Sequence, residues 1–221
     1  MKEGRDTKDL LYEQVARMTK SIGSPKRLEL LELLCQSEKT VELVAEQAQI
    51  SVKLASAHLK QLKLARLVDS RRDGKYVYYR LADQAVADIW VSLRMLAEER
   101  LLELQMGLRS LAKAPGALQP LDRRTVLAKA QRGEVMVLDV RPEPEYAAGH
   151  LPFARSIPLS ELRKRLNELP RSKPIVAYCR GPFCLLAREA VALLQRRGFR
   201  TMRLEDGVAE WRFHGLPIEH P

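Results

Sequence analysis

Two thiols stand five residues apart in Tyr178-Cys179-Arg180-Gly181-Pro182-Phe183-Cys184. Pro174-Ile175-Val176-Ala177-Tyr178 is a strand of the buried type, and it runs straight into Cys179. A helical pattern, Cys184 to Arg197, follows the Gly-Pro loop. A thiol placed there faces the backbone N–H groups of its own loop and a helix N-terminus. Both favour the thiolate, which is the nucleophilic form. The N–H groups of residues 180 to 184 would form a concave nest for an anion. Arg180 adds positive charge if its side chain faces the pocket rather than solvent. Two roles suit Cys184. It can pack at the helix start, or it can approach Cys179 if the loop curls. A disulfide needs Cα atoms within about 7 Å.

A second group of residues suits a polyanion. Ser51, Lys53, Ser56, His58 and Lys60 share the polar side of a helix expected over Val52 to Leu64. Such side chains can donate to phosphates or to base edges in the major groove. Arg71, Arg72 and Lys75 flank an Asp73-Gly74 turn and suit phosphate or minor-groove contact.

The elements that must position these groups differ between the two halves. In the first half a helix spans Asp9 to Thr19. Ser24-Pro25 starts another, with Ser as N-cap and Pro at the first helical position. Thr40 opens a short helix, Gln49-Ile50 turns the chain, and Ser51 caps the next. Asp73-Gly74 between β-prone residues signals a hairpin. Two short helices and a basic hairpin make a mainly α winged helix-turn-helix. One long helical pattern then covers Asp83 to Leu111. At 1.5 Å per residue it would be roughly 40 Å long. Such a helix suits a dimer interface; the alternative is that it covers the chain's own second half. Lys113 to Pro120, small and carrying Pro and Gly, reads as a break.

The second half alternates. Helix Arg123 to Arg132, strand Val135 to Val140, a short helix at Glu143 to Ala148, helix Leu159 to Leu169, the strand ending at Cys179, helix Cys184 to Arg197 and strand Thr201 to Leu204 follow in order. Apolar strands separated by helices mean an α/β fold with a central parallel sheet. Sites in such folds lie at the carboxyl ends of strands, where Cys179 and Asp139-Val140-Arg141 both fall. Asp139 and Arg141 read as a structural ion pair fixing the loop Glu145 to His150.

Composition sets outer bounds. The 221 residues suffice for two domains, and 46% are hydrophobic. No apolar run of about 18 residues exists, and the N-terminus lacks the apolar segment of a signal peptide. Both point to the cytoplasm and away from a membrane. Three cysteines are too few for a disulfide framework. The net charge is +10, but it is spread: residues 1–120 hold 20 basic against 16 acidic side chains, and residues 121–221 hold 18 against 12. Net charge therefore supports a nucleic-acid partner only weakly, and the local clusters carry that argument.

The first half resembles the ArsR/SmtB winged-helix repressors. The resemblance rests on Ile22-Gly23-Ser24-Pro25-Lys26-Arg27-Leu28, on Ser51 through Leu62, and on Arg72-Asp73-Gly74-Lys75-Tyr76-Val77-Tyr78-Tyr79-Arg80-Leu81. It implies a homodimer that binds a palindromic double-stranded DNA operator and releases it when an inducer arrives. Sensors of that family often bind metal, but Thr40 to Gln49 contains no cysteine and Asp83 to Leu111 no histidine. No metal site and no cofactor are expected, and Cys35 reads as a small buried apolar residue.

The second half resembles a single rhodanese (sulfurtransferase) domain. The carrying residues are Leu138-Asp139-Val140-Arg141, Glu145 through Pro152, the Cys179 loop, Asp206 through Trp211, and Gly215-Leu216-Pro217. The resemblance implies that Cys179 accepts sulfane sulfur as a persulfide, held in the loop Gly181-Pro182-Phe183, with Cys184 as a resolving thiol. Rhodanese loops usually keep Gly three residues after the cysteine and often a basic or hydroxyl residue at the fifth position. Here those positions hold Pro182 and Cys184, which argues against efficient thiosulfate turnover. Position 185 is Leu, which argues against phosphatase or arsenate reductase chemistry. The expected organisation is thus 1–114 winged-helix and dimerisation domain, 115–120 linker, and 121–221 rhodanese-like domain. The expected function is a transcriptional regulator that senses a polysulfide, a persulfide or thiosulfate. The alternative is a sulfurtransferase tethered to a DNA-binding domain.

Overall fold

A proline has no N–H to donate, so it opens a helix at no cost in hydrogen bonding. In the computed structural model α2 (Pro25–Leu34) begins there, with Ser24 in the N-cap position but making no side-chain cap bond. The structure describes residues 2–112 and 122–221. The linker expected over 115–120 lies outside the described residues. The chain divides into two compact units, Met1–Trp90 and Val91–Pro221.

The first unit holds α1 (Lys2–Ile22), α2, β1 (Lys39–Thr40), α3 (Val41–Gln47), α4 (Val52–Leu64), β2 (Val68–Asp73), β3 (Tyr76–Leu81) and the start of α5 (Gln84–Arg100). Side-chain caps fix the two central helices. Thr40 accepts from the Leu43 N–H and Ser51 from the Leu54 N–H, each at 3.2 Å. Between them Gln49 takes a left-handed φ of 51°, which turns the chain. The hairpin closes over Gly74-Lys75, and Gly74 sits at φ 57°, a value glycine tolerates best. The sheet order is β1-β3-β2, antiparallel throughout, with Asp73 opposite Tyr76. Leu30, Leu31, Leu34, Val44, Leu59 and Leu62 form the core beneath α4.

The second unit holds the rest of α5, then α6 (Leu102–Ala112), α7 (Arg123–Gln131), β4 (Met136–Asp139), α8 (Glu143–Ala147), β5 (Ala154–Ser156), α9 (Leu159–Leu162), a 3-10 turn (Leu166–Glu168), β6 (Ile175–Tyr178), α10 (Leu186–Arg196), β7 (Thr201–Arg203) and α11 (Val208–Phe213). The sheet is parallel with order β5-β4-β6-β7. Successive strand residues enter opposite cores. Leu138, Ile175 and Ala177 join α10 on one face; Val137, Val176 and Tyr178 join Trp211 on the other. That two-sided burial is why these strands are almost continuously apolar. Among the described residues no helix is long and apolar enough to cross a membrane.

Several elements differ from expectation: α1 is longer at both ends than the Asp9 to Thr19 helix, β1 and α11 are additional, and four further differences bear on the site. The single helix expected over Asp83 to Leu111 is interrupted at Leu101. Beside the break the Gln105 side-chain amide donates to the Glu99 carbonyl at 3.2 Å. The helix expected over Leu159 to Leu169 is α9 followed by the 3-10 turn. Arg155 donates to the Glu168 carbonyl at 3.0 Å and holds that turn open. Strand β5 was not expected: it is three residues long, at the sheet edge, with Arg155 at its centre. Helix α10 begins at Leu186, two residues later than the pattern suggests.

Candidate functional site

In the first unit α4 packs Ala55, Leu59 and Leu62 inward. Lys53, Ser56 and Lys60, spaced three and four apart, share an exposed face, and neither lysine has a carboxylate partner among the described residues. Ser51 is exposed but already engaged as the N-cap. His58 is half-buried; burial and the nearby Arg27 charge lower its pKa, so it is neutral near pH 7. The hairpin cations are not equivalent. Arg71 is held by Glu38, with Nε 3.0 Å from Oε2, and by Asp73 at 3.2 Å, and it lies 4.5 Å over the Tyr78 ring. Arg72 Nε donates to the Gly74 carbonyl at 3.1 Å, and Lys75 lies over Tyr76 at the tip. All of these cations are exposed, but Lys53, Lys60 and Lys75 have no carboxylate partner among the described residues, whereas Arg71 is held by Glu38 and Asp73 and braces the hairpin.

In the second unit the site is built at the carboxyl ends of three neighbouring strands. β4 ends at Asp139, β6 runs into Cys179, and β7 ends at Arg203. Asp139 and Arg141 are fully buried and paired at 2.6 Å. Arg141 also donates to the Gly149 carbonyl at 2.8 Å, and the Tyr178 hydroxyl donates to Asp139. This network fixes the segment from Glu145 to His150, where His150 stacks on Tyr146 at 3.8 Å and takes no part in the thiol site.

The two thiols face each other. Cys179 is 2% exposed and Cys184 is partly exposed. The Cys179 S–H donates to the Cys184 carbonyl, with Sγ 3.7 Å from the oxygen. The sequence points to a thiolate at Cys179; the surroundings favour one at Cys184. Burial pushes the Cys179 thiol well up, the bond to Cys184 adds to that, and an Ala187 N–H only partly offsets them. Cys184 is brought down to about 6 by the neighbouring Cys179 side chain first, then by the N–H groups of Arg180 and Leu186 and the Arg180 charge, against its own burial. The anion nest exists, but it centres on the second thiol.

Arg180 faces this pocket. Its guanidinium meets the buried Glu145 carboxylate with contacts of 2.7 and 2.9 Å. The Pro182 carbonyl accepts from Arg203 at 2.9 Å. A buried carboxylate, Glu210, abuts Gly181 and accepts from the Gly207 N–H at 2.8 Å. Arg94 donates to Glu210 at 3.1 Å and lies 6.0 Å from the Phe183 ring. Gly207 is required by close approach: a Cβ there would sit 2.3 Å from the Arg180 carbonyl oxygen. Arg94 and Arg203 escape a reading of the sequence, and Glu145 and Glu210 fall in segments that carry the rhodanese resemblance without being given a role at the thiol site. Arg203 alone had a signal, since it ends a strand beside Cys179.

Comparison with known proteins agrees with this division. Residues 24–70 match the family described as bacterial regulatory protein, arsR family, and residues 122–214 match the rhodanese-like domain. The HTH-type transcriptional regulator Rv0324 of Mycobacterium tuberculosis is 40% identical over 214 residues, covering 97% of this chain and 94% of that protein. A sulfurtransferase of Allochromatium vinosum is 33% identical over 93 residues, 42% of this chain and 85% of its own. The solution structure of a homodimeric winged helix-turn-helix DNA-binding domain from Mycobacterium bovis is 39% identical, covering 44% of this chain and 91% of that one, with a TM-score of 0.42.

Proposed function

This chain belongs to the arsR family of bacterial regulatory proteins and carries a rhodanese-like domain, and from that premise we propose that it is a DNA-binding repressor that senses reactive sulfane sulfur. It works in the cytoplasm as a homodimer on a palindromic double-stranded operator. Exposed apolar side chains on α1 (Leu10, Leu11, Val15) and on α5 (Ile89, Leu96) supply the apolar surface that such a dimer would cover. Helix α4 reads the operator through Ser51, Lys53, Ser56, His58 and Lys60, and the hairpin adds Arg71, Arg72 and Lys75. The donor is a polysulfide, a low-molecular-weight persulfide or thiosulfate. Its sulfur is held as a persulfide at Cys179, beside Cys184 and Arg180, in the loop Gly181-Pro182-Phe183.

The observation that carries this reading is the pair of thiols in one short loop, Cys179 bonded to the Cys184 carbonyl with Arg180 and Arg203 beside them, in a chain whose other unit is a winged helix. A shift of only a few kcal/mol between DNA-competent and DNA-incompetent states would suffice, because each ~1.4 kcal/mol changes affinity about tenfold. The test is operator binding with and without inorganic polysulfide, for wild type, Cys179→Ser and Cys184→Ser. Wild type should respond and both variants should lose the response. If all three respond alike, sulfur sensing by this pair is wrong.

A second reading, a sulfurtransferase tethered to DNA, is favoured by the likeness to the A. vinosum sulfurtransferase. It requires rapid transfer of bound sulfur to cyanide or a thiol. A sensor retains its sulfur and turns over slowly, so single-turnover kinetics separates the two.

A further inference from the structure

We infer that Arg94 on α5 is a positioning residue for the Cys179 loop, and that, acting through Glu210, it makes the sulfur state of that loop an input to α5. The inference rests on the sulfur-sensing reading above and names the residues that carry the signal out of the site.

The contacts run in one line. The Glu210 carboxylate oxygens come within 3.2 and 3.3 Å of the point where a Gly181 side chain would begin. Glu210 also accepts from the Gly207 N–H at 2.8 Å. Gly207 is itself pressed against the loop: a Cβ there would lie 2.7 Å from the Cys179 carbonyl oxygen. On its other side Glu210 meets Arg94 at 3.1 Å. Arg94 pairs as well with Glu98, one turn further along α5, and its guanidinium lies 6.0 Å from the Phe183 ring. Arg94 stands outside residues 122–214, the stretch that matches the rhodanese-like domain. The cation behind the loop is thus supplied by a helix from outside that domain. Helix α5 is unbroken from Gln84 to Arg100, and its residue Val86 packs in the winged-helix core. Eight residues separate Val86 from Arg94, about 12 Å of helix.

Burial makes the pair move together. Arg94 and Glu210 are 4% and 3% exposed. Neither can exchange its partner for water, and a buried charge left alone is costly. Arg94 Nε is buried without a hydrogen-bond partner, so the two glutamates are what hold the guanidinium. Cys179 is buried too, with Sγ 3.7 Å from the Cys184 carbonyl. A close-packed interior takes up an added atom only by moving its neighbours. A sulfur added to Cys179 therefore displaces the loop, and Gly181, at a φ of 152°, is the loop residue that rests on Glu210. Its displacement moves the carboxylate, and the carboxylate takes Arg94 and α5 with it. Such a link is a coupling free energy between two sites.

The test loads the full-length chain with glutathione persulfide, which transfers its outer sulfur to Cys179 and leaves as glutathione, with no net oxidation. Peptide mass spectrometry counts the added sulfur, and hydrogen–deuterium exchange reads the amides of residues 91–100. In the wild type, loading should change that exchange by at least about fivefold, the low end of typical couplings. Arg94→Met combined with Glu210→Gln removes both charges and leaves no buried ion behind. This double variant should still take one sulfur on Cys179, while its α5 response falls below about twofold. A pair that only stabilises the fold would alter exchange equally with and without sulfur. Gly181→Ala supplies an arm free of sulfur: its Cβ presses on Glu210 and should shift α5 exchange in the same sense as loading. The link is overturned, with sulfur sensing left standing, by a loaded wild type whose α5 is unchanged, by a loaded double variant that responds like wild type, or by a Gly181→Ala chain with unaltered α5 exchange. A wild-type chain that takes up no sulfur overturns both.

Discussion

Among the described residues the cations on α4 stand exposed and without carboxylate partners, whereas around Cys179 Arg180 is matched by Glu145 and Glu210 by Arg94. Lys53 and Lys60 are surrounded by water, whereas Arg180 is tied to Glu145 and Arg94 to Glu210. On the proposed function, the difference follows from what each region would meet. A DNA backbone brings its own anions and releases counterions as lysines neutralise them, so the protein gains by leaving those lysines unpaired. A single sulfur atom brings at most one charge. The loop that receives it must be held rigid beforehand, and buried unpaired charges would make that rigidity costly. Arg71 shows both habits in one hairpin, an exposed cation neutralised by Glu38 and placed over the Tyr78 ring.

The largest effect should come from breaking the buried network. Asp139→Ala leaves Arg141 buried without its carboxylate and should cost about 3–5 kcal/mol. Urea unfolding followed by Trp211 fluorescence in a Trp90→Phe background reports on the second unit. A loss below about 1 kcal/mol would show that the ion pair does not hold the strand ends together. Gly207→Ala should cost about 1–3 kcal/mol, because its Cβ meets backbone rather than a movable side chain. In the same chain it should slow alkylation of Cys184 by displacing the Arg180 peptide. The smallest effect on stability, within about 0.5 kcal/mol, is expected for Lys53→Ala and Lys60→Ala. Their effect should appear instead in the salt dependence of operator binding, with a log–log slope shallower by about one for each lysine. An unchanged slope would remove these lysines from the DNA interface.

Local signals made much of this molecule legible in its sequence. Ser24-Pro25, Thr40, Ser51 and Asp73-Gly74 mark element boundaries through chemistry confined to a few neighbouring residues. The apolar runs before Asp139 and Cys179 announce a sheet buried on both faces. What escaped depends on contacts between distant residues. Glu145 and Arg180 are 35 positions apart, and Arg94 and Glu210 are 116 apart. No periodicity records such a pairing. The location of the thiolate escaped for the same reason. The strand-to-loop geometry points to Cys179, but the balance is decided by how deeply that residue sinks and by which sulfur the Arg180 and Leu186 amides address. Edge strand β5 has three residues and an arginine at its centre, so its composition resembles a loop.

The contact between Gly181 and the Glu210 carboxylate, 3.2 Å from where a side chain would begin, bears on transplantation. Segment 179–184 grafted alone into another scaffold would carry both cysteines and lose what shapes them. Glu210 and Gly207 come from α11 and the turn before it, and Arg203 from the end of β7. The smallest portable module therefore includes the stretch from Arg203 to Trp211 as well, and a chimera lacking it would carry two ordinary thiols.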